Sequence, residues 1–251
     1  MIIAVANQKG GVGKTTTTAN LGASLAELGQ RVLLIDLDPQ GNLTAAFGLH
    51  DRLESTVAQA LLDRTVPMPI LEAGSHSPGG LSVVPASIPL ASVEAALMPK
   101  LGRELRLRDQ IVRVANQFDF ILIDTPPSLG LLTINALVAA SRVIIPTEAR
   151  FFSLQGIQML QDSIGEILYL NPSLEVMGIL LSKLDRRLRE ERTVASYLRE
   201  HWGELVFRTE IGTNSKILEA GSAGTSVFCY AGAEKAADSY KQLAQEVIDR
   251  V

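Results

Sequence analysis

Gln8-Lys9-Gly10-Gly11-Val12-Gly13-Lys14-Thr15-Thr16 follows directly on the apolar run Ile2-Ile3-Ala4-Val5-Ala6 and opens a segment of helical period. A glycine-rich turn between a strand and a helix lets successive backbone N–H groups point at phosphate oxygens, and the helix N-terminus adds partial positive charge. The stretch therefore reads as a phosphate-binding loop built from Lys9, Gly10, Gly11, Val12, Gly13, Lys14, Thr15 and Thr16. In such a loop Lys14 reaches the β- and γ-phosphates of a nucleotide and the Thr15 hydroxyl ligates Mg²⁺. The usual spacing puts a glycine where Gln8 stands, and in its place the chain carries a second lysine, Lys9, beside Gly10-Gly11.

Outward from this loop, short apolar runs alternate with longer segments of helical period, the pattern of βα units on a parallel sheet. Strands are expected at Ile2–Ala6, Val32–Asp36, Leu81–Val84, Phe120–Asp124, Arg142–Pro146 and Val176–Ser182. Most are continuous apolar runs, as strands covered on both faces require. Leu21, Leu25 and Leu28 mark a helix that Gly29 terminates, and helices are also expected over Leu105 to Ala115, Leu154 to Leu170 and Ala233 to Val251. Residues 63–80, rich in Pro and Gly, read as a loop excursion. The fold class expected is α/β, a mostly parallel sheet flanked by helices, with residues 1–251 as one domain.

Two strands end in acids. Asp36-Leu37-Asp38-Pro39-Gln40-Gly41-Asn42 places two carboxylates at the C-terminal edge of the sheet, where ligands of α/β folds bind. An acid there orients the attacking water or joins the Mg²⁺ shell. Phe120-Ile121-Leu122-Ile123-Asp124 is an apolar strand ending in Asp, the Walker B pattern, with Asp124 holding Mg²⁺ through water.

Bulk composition narrows the setting. The 251 residues carry a net charge of −4, so the molecule as a whole does not advertise nucleic-acid binding. Residues 1–177 hold 12 Lys+Arg against 16 Asp+Glu and residues 178–251 hold 11 against 11, so any basic patch is local and C-terminal. A single cysteine, Cys229, excludes an internal disulfide or a cysteine metal cluster. No basic leader and no apolar run of about 18 residues stands in the sequence, which makes the cytoplasm the expected compartment. His50, His76 and His201 lack ligand spacing, Trp202 is expected in helix packing, and Cys229, Met159 and Met177 are expected in the core.

The second lysine, followed by the two acid motifs in order, resembles the deviant Walker A family of P-loop NTPases, which includes ParA, MinD and the nitrogenase iron protein. Pro39-Gln40-Gly41-Asn42 is similar to ParA and Soj proteins in particular. The resemblance implies an ATPase, converting ATP and water to ADP and phosphate with slow intrinsic turnover, and ATP and Mg²⁺ as ligands. It implies that Lys9 reaches across a homodimer to the partner's nucleotide, that Asp38 is required for hydrolysis beside Lys9 and Lys14, and that Asp36 supports the metal site with Thr15 and Asp124. Further along, Asn214 fits the role of an adenine contact and Lys216 that of a DNA contact, although Gly212-Thr213 departs from the family's Pro-Arg. Arg186, Arg187, Arg189 and Arg192, at the start of an expected helix, are candidates for DNA phosphates. Their alternative is a solvated helix face, since Glu190 and Glu191 intervene.

The implied partners are non-specific double-stranded DNA and a ParB/Spo0J-like protein, with the chain nucleoid-associated in the cytoplasm. The competing reading is a MinD-like membrane-associated positioning ATPase. The terminal segment disfavours it, because Lys235 to Val251 lacks a basic amphipathic extension with bulky apolar residues. One cysteine cannot supply the cluster ligands of a nitrogenase-type reductase.

Overall fold

The computed structural model describes residues 1–74, 77–150 and 153–251, with nothing said of the side chains of residues 153–155. Its strands are β1 (Ile2–Val5), β2 (Val32–Asp36), β3 (Leu71–Glu72), β4 (Leu81–Val84), β5 (Phe120–Asp124), β6 (Arg142–Thr147), β7 (Glu175–Leu184) and β8 (Val206–Gly212). They form one sheet in the order β3-β4-β2-β5-β1-β6-β7-β8, parallel throughout except for β3. The helices are α1 (Lys14–Glu27), α2 (Asn42–Ala46), α3 (Val57–Leu62), α4 (Val93–Leu97), α5 (Arg106–Ile111), α6 (Leu131–Ala139), α7 (Ser153–Ile167), α8 (Arg189–Trp202), α9 (Ser215–Ser222) and α10 (Glu234–Asp249).

Alternate residues of each central strand enter opposite cores, as the two-residue period of a strand dictates. Leu33, Ile35, Ile121, Ile123, Val143 and Ile145 pack with α3 to α8, whereas Val32, Leu34, Leu122 and Ile144 pack with α1 and α10. Both faces of the sheet are covered, so its central strands carry apolar residues on both sides. Gly29, in the left-handed region at φ 84, ends α1 at the stop expected from the sequence.

β8 and the two-residue β3 were not legible in the sequence. β8 carries Arg208 and Glu210 within its length, which breaks the apolar run. It is an edge strand, and its polar groups are held from outside the sheet: Glu210 pairs with Arg186 and Arg199, and Glu246 of α10 accepts the backbone N–H groups of Arg208 and Thr209. β3 lies within the excursion expected to be loop and pairs antiparallel with β4, Leu71 opposite Val83. Cys229 is exposed and Met159 is 48% exposed, so neither is the core residue the sequence suggested; Cys229 lies in the turn between α9 and α10 and Met159 on the open side of α7, whereas Met177 is buried. Trp202 packs against the core as expected, and His76 lies outside the described residues.

The junction of β7 with β8 is tight. A Cβ on Gly178 would stand 2.6 Å from the Phe207 ring, 2.9 Å from the Leu205 carbonyl oxygen and 2.9 Å from the Arg250 guanidinium. Backbone on one side and a stacked guanidinium on the other leave no room to yield. Gly178→Ala is expected to lower stability by about 1–3 kcal/mol, read as a shift of the urea unfolding midpoint at constant slope.

Candidate nucleotide site

β1 is central, with β5 on one side and β6 on the other, and its C-terminal end runs into the glycine loop. Gly11 and Gly13 both take positive φ, 76° and 86°, and Gly13 caps α1, which starts at Lys14. The loop is fixed at its base by Asn7, whose side-chain amide donates to the Pro146 carbonyl at 2.8 Å while its oxygen accepts the Lys9 N–H at 2.9 Å. On its far side Ser182 donates to the Val12 carbonyl at 2.7 Å, and Lys183 reaches the Gly11 carbonyl. Lys183 is the one non-glycine among the described residues with positive φ, 53°, a conformation held in place by the Thr213 hydroxyl donating to its carbonyl at 2.9 Å.

The two lysines of the loop have different surroundings. Lys14 is 6% exposed and donates to the Lys9 carbonyl at 3.3 Å. Burial lowers its pKa, and the nearby Asp124 and Asp38 carboxylates oppose that shift. Lys9 points outward, with its side chain 41% exposed and its ammonium 3.8 Å from Glu148. Glu148 also meets Arg150 at 3.2 Å and Lys183 at 3.8 Å, so one carboxylate stands among three cations on the rim.

The acids converge as the strand register requires. Asp36 of β2 is the lateral partner of Asp124 of β5, and Asp124 is in turn the partner of Val5 at the root of the loop. Both are fully buried. Burial pushes Asp36 up to about 6, against hydrogen bonds from Thr44 and the Asp38 N–H. Burial and the neighbouring Asp36 push Asp124 well above the usual carboxylate range, against the nearby Thr15 hydroxyl and the charge of Lys14.

Their hydrogen bonds differ. Asp36 Oδ1 accepts from the Asp38 N–H at 3.1 Å, and Oδ2 accepts from the Thr44 N–H and hydroxyl at 2.9 and 2.7 Å. Asp124 Oδ1 has a long contact of 3.5 Å from Thr18, and Oδ2 is buried with no protein partner. Asp38 is buried at the mouth and its Oδ1 accepts the Gln40 N–H at 3.0 Å.

A buried carboxylate oxygen without a partner, beside a threonine hydroxyl and a phosphate loop, fits a hard divalent cation. Among the described residues no three His, Cys, Asp or Glu side chains form a metal-holding group. That suits Mg²⁺, which takes few protein ligands and keeps phosphate oxygens and waters in its shell.

A cavity of about 420 Å³ opens from the loop, lined among others by Gly13, Thr16, Thr17, Asn214, Ile217 and Tyr240. Asn214 caps α9 by accepting the Lys216 N–H at 2.9 Å through Oδ1, which leaves its amide N–H₂ for a base edge. Tyr240 of α10 is fully buried against α1, hydrogen-bonded to Thr17 with its pKa raised by burial; no local motif marks this lone tyrosine as part of the cavity wall.

The cations expected to meet DNA lie beyond the cavity, and most are paired. Arg186 meets Glu210 at 2.5 Å, Arg187 meets Asp185 at 2.7 Å, and Lys216 meets Glu219 at 2.6 Å. Arg192 donates to the Arg186 carbonyl at 2.7 Å. Arg186 and Arg187 stand in the turn before α8, which begins at Arg189 rather than ahead of all four. With Lys235 they line a second cleft of about 690 Å³ that shares Gly212, Thr213, Asn214 and Ile217 with the first.

Asp124→Asn removes a charge that burial disfavours, so the nucleotide-free protein is expected to keep or raise its melting temperature. The extra rise that Mg²⁺ adds to ADP should fall as metal affinity drops roughly ten- to hundred-fold. Thermal unfolding with ADP, with and without Mg²⁺, checks both; a lower melting temperature with the Mg²⁺ effect intact would make Asp124 a structural acid.

Comparison with known proteins agrees with this geometry. A family model described as "AAA domain" matches residues 1–176. The sporulation initiation inhibitor protein Soj of Bacillus subtilis is 41% identical over 248 residues, covering 98% of this chain and 97% of that protein. The chromosome partitioning protein ParA of Caulobacter vibrioides is 40% identical over 252 residues, covering 99% and 94%. Among solved structures, cobyrinic acid a,c-diamide synthase from Mycobacterium smegmatis with bound ADP and magnesium superposes with a TM-score of 0.82 at 35% identity, over 97% of this chain and 92% of that one. With full-length relatives at this identity and a mostly parallel P-loop sheet, the chain belongs to the ParA/Soj family of P-loop partitioning ATPases.

Proposed function

We propose that residues 1–251 form one ATPase domain that works as a nucleotide-switched homodimer, binding DNA without reading sequence in the ATP state and releasing it on hydrolysis. The observation that carries this reading is the contrast between the two lysines. Lys14 is buried inside its own phosphate loop, whereas Lys9 stands exposed on the rim beside Glu148. A cation so placed is free to meet the phosphates of a second subunit.

The ATP triphosphate lies along the N–H groups of residues 10–16, with Lys14 at the β- and γ-phosphates and the base in the cavity beside Asn214. Thr15 and Asp124 would hold Mg²⁺, which would supply positive charge to the phosphates during transfer. Asp38, at the mouth of the site, orients the attacking water. Lys9 exchanges Glu148 for the partner's γ-phosphate; Arg150 and Lys183 remain to neutralise Glu148, so the exchange leaves no bare carboxylate.

DNA phosphates meet the cleft of Arg186, Arg187 and Lys235 with Lys216 and Arg189 nearby. The Arg186 and Arg187 side chains are exposed although their acids, Glu210 and Asp185, are largely buried, and Glu210 keeps Arg199 when Arg186 turns to a phosphate. No groove-reading element is present among the described residues, and phosphate contacts position a protein on DNA without selecting sequence. A ParB-like partner accelerates an intrinsically slow turnover, and the ATP state is nucleoid-bound.

The membrane reading finds less support. The apolar residues of α10, Tyr240, Leu243, Ala244 and Val247, face the core and are not available to a bilayer.

Binding to random-sequence DNA at low salt tests the reading. ATP but not ADP should promote binding, and Asp38→Ala should prolong it. Lys216→Ala should weaken it and flatten its log–log salt dependence by roughly 0.9 for each DNA phosphate left unneutralised. Absence of DNA binding by the wild type in either nucleotide refutes it. Lys9→Ala is expected to abolish the ATP-dependent dimer in sedimentation velocity while leaving ATP binding by the monomer.

A further inference from the structure

Asp36 and Asp124 sit side by side at the same level of the sheet, yet one is fully hydrogen-bonded by protein and the other is not. Asp36 receives three protein hydrogens, from the Asp38 N–H, the Thr44 N–H and the Thr44 hydroxyl. The Thr44 hydroxyl, 1% exposed, in turn accepts the Ala86 N–H at 3.0 Å, just past the end of β4. This hydroxyl thus joins the end of β2 to the segment after β4.

The same segment presses on the turn from its other side. Gly41 takes φ 64°, and a Cβ there would stand 3.2 Å from the Ala86 carbonyl oxygen. Ala86 therefore brackets the end of this turn, with its N–H on Thr44 and its carbonyl against Gly41. Within the bracket, Asp36 Oδ1 holds the backbone N–H of Asp38, so the rotamer that Thr44 imposes on Asp36 fixes where Asp38 leaves the strand.

We propose that Thr44 is a positioning residue for ATP hydrolysis, acting through Asp36 to place Asp38, and that Asp36 serves this clamp rather than the metal. This rests on the ATPase reading above. Holding a catalytic group in its productive geometry carries a large part of a rate, and a misplacement of about 1 Å costs on the order of a hundredfold. A buried hydroxyl with one donor and one acceptor partner is well suited to that task, since neither partner can be replaced by water from outside.

The test compares Thr44→Val, which keeps the shape and loses the hydroxyl, with Thr44→Ser, which keeps the hydroxyl. Steady-state ATP hydrolysis by the full chain should show kcat falling roughly ten- to hundredfold in Thr44→Val. KM for ATP and half-saturation by Mg²⁺ should stay within about twofold, and Thr44→Ser should restore most of the rate. Wild-type kcat in Thr44→Val, or a rise in Mg²⁺ half-saturation as large as that of Asp124→Asn, overturns the proposal.

Thr44→Ala is the second variant, with the same kcat loss expected. If neither it nor Thr44→Val shows a wild-type thermal shift with Mg²⁺ and ADP while Thr44→Ser does, the hydroxyl serves folding and the proposal falls. A wild-type chain that does not hydrolyse ATP overturns the ATPase reading itself, whereas a wild type and Thr44→Val that hydrolyse equally overturn only the clamp.

Discussion

Three charged groups are buried within a few ångströms at one end of the sheet, and the site depends on their compensating one another. Burial disfavours the charged form of Lys14, Asp36 and Asp124 alike, and only their opposite signs and their hydrogen bonds hold them there. Removing Lys14 would leave the two buried carboxylates without their cation, typically at a cost of about 3–5 kcal/mol. The parallel sheet makes this arrangement possible, because strand register alone sets Asp36 beside Asp124 and Asp124 beside the root of the glycine loop.

The loops that carry these acids are tied to each other as well as to the sheet. The segment after β4 meets the Thr44 hydroxyl at Ala86 and, eight residues on, sends Glu94 of α4 to accept the Leu132 N–H at 3.0 Å at the start of α6. α6 begins just past the turn that follows Asp124. One short stretch of chain thus touches the exits of both acid-bearing strands. A shift of either exit is transmitted by hydrogen bonds from backbone N–H groups to the side-chain oxygens of Thr44 and Glu94.

What the sequence made legible follows from how locally each feature is specified. The glycine loop, Asp36, Asp38 and Asp124 are each announced by a strand that precedes them, because a buried parallel strand is an unbroken apolar run and its last residue stands at the ligand edge. β8 was hidden because an edge strand needs no such run: Glu210 finds its partners on α8 and in the turn before α8, and the N–H groups of Arg208 and Thr209 find Glu246 of α10. Burial of single residues near the C-terminus was no more legible, and Cys229 and Met159 face outward where their apolar character suggested otherwise. Likewise Glu148 and Lys183 belong to the rim only because β6 pairs with β1 and β7 with β6. Nothing in their own neighbourhoods marks them.

Tyr240 carries a consequence for how the protein is made. The cavity beside the glycine loop takes one wall from residues 13–17 and another from residues 211–240, and Tyr240 of α10 closes it against Thr17. Asn20 of α1 likewise accepts the Val227 N–H at 3.1 Å. A chain emerging from the ribosome displays its phosphate loop before α10 exists, and the cavity beside the loop is enclosed only after α10 has been synthesised and has docked. The walls of the cavity therefore meet late in biogenesis, and a chain cut short before α10 keeps the loop yet lacks the contact of Tyr240 with Thr17.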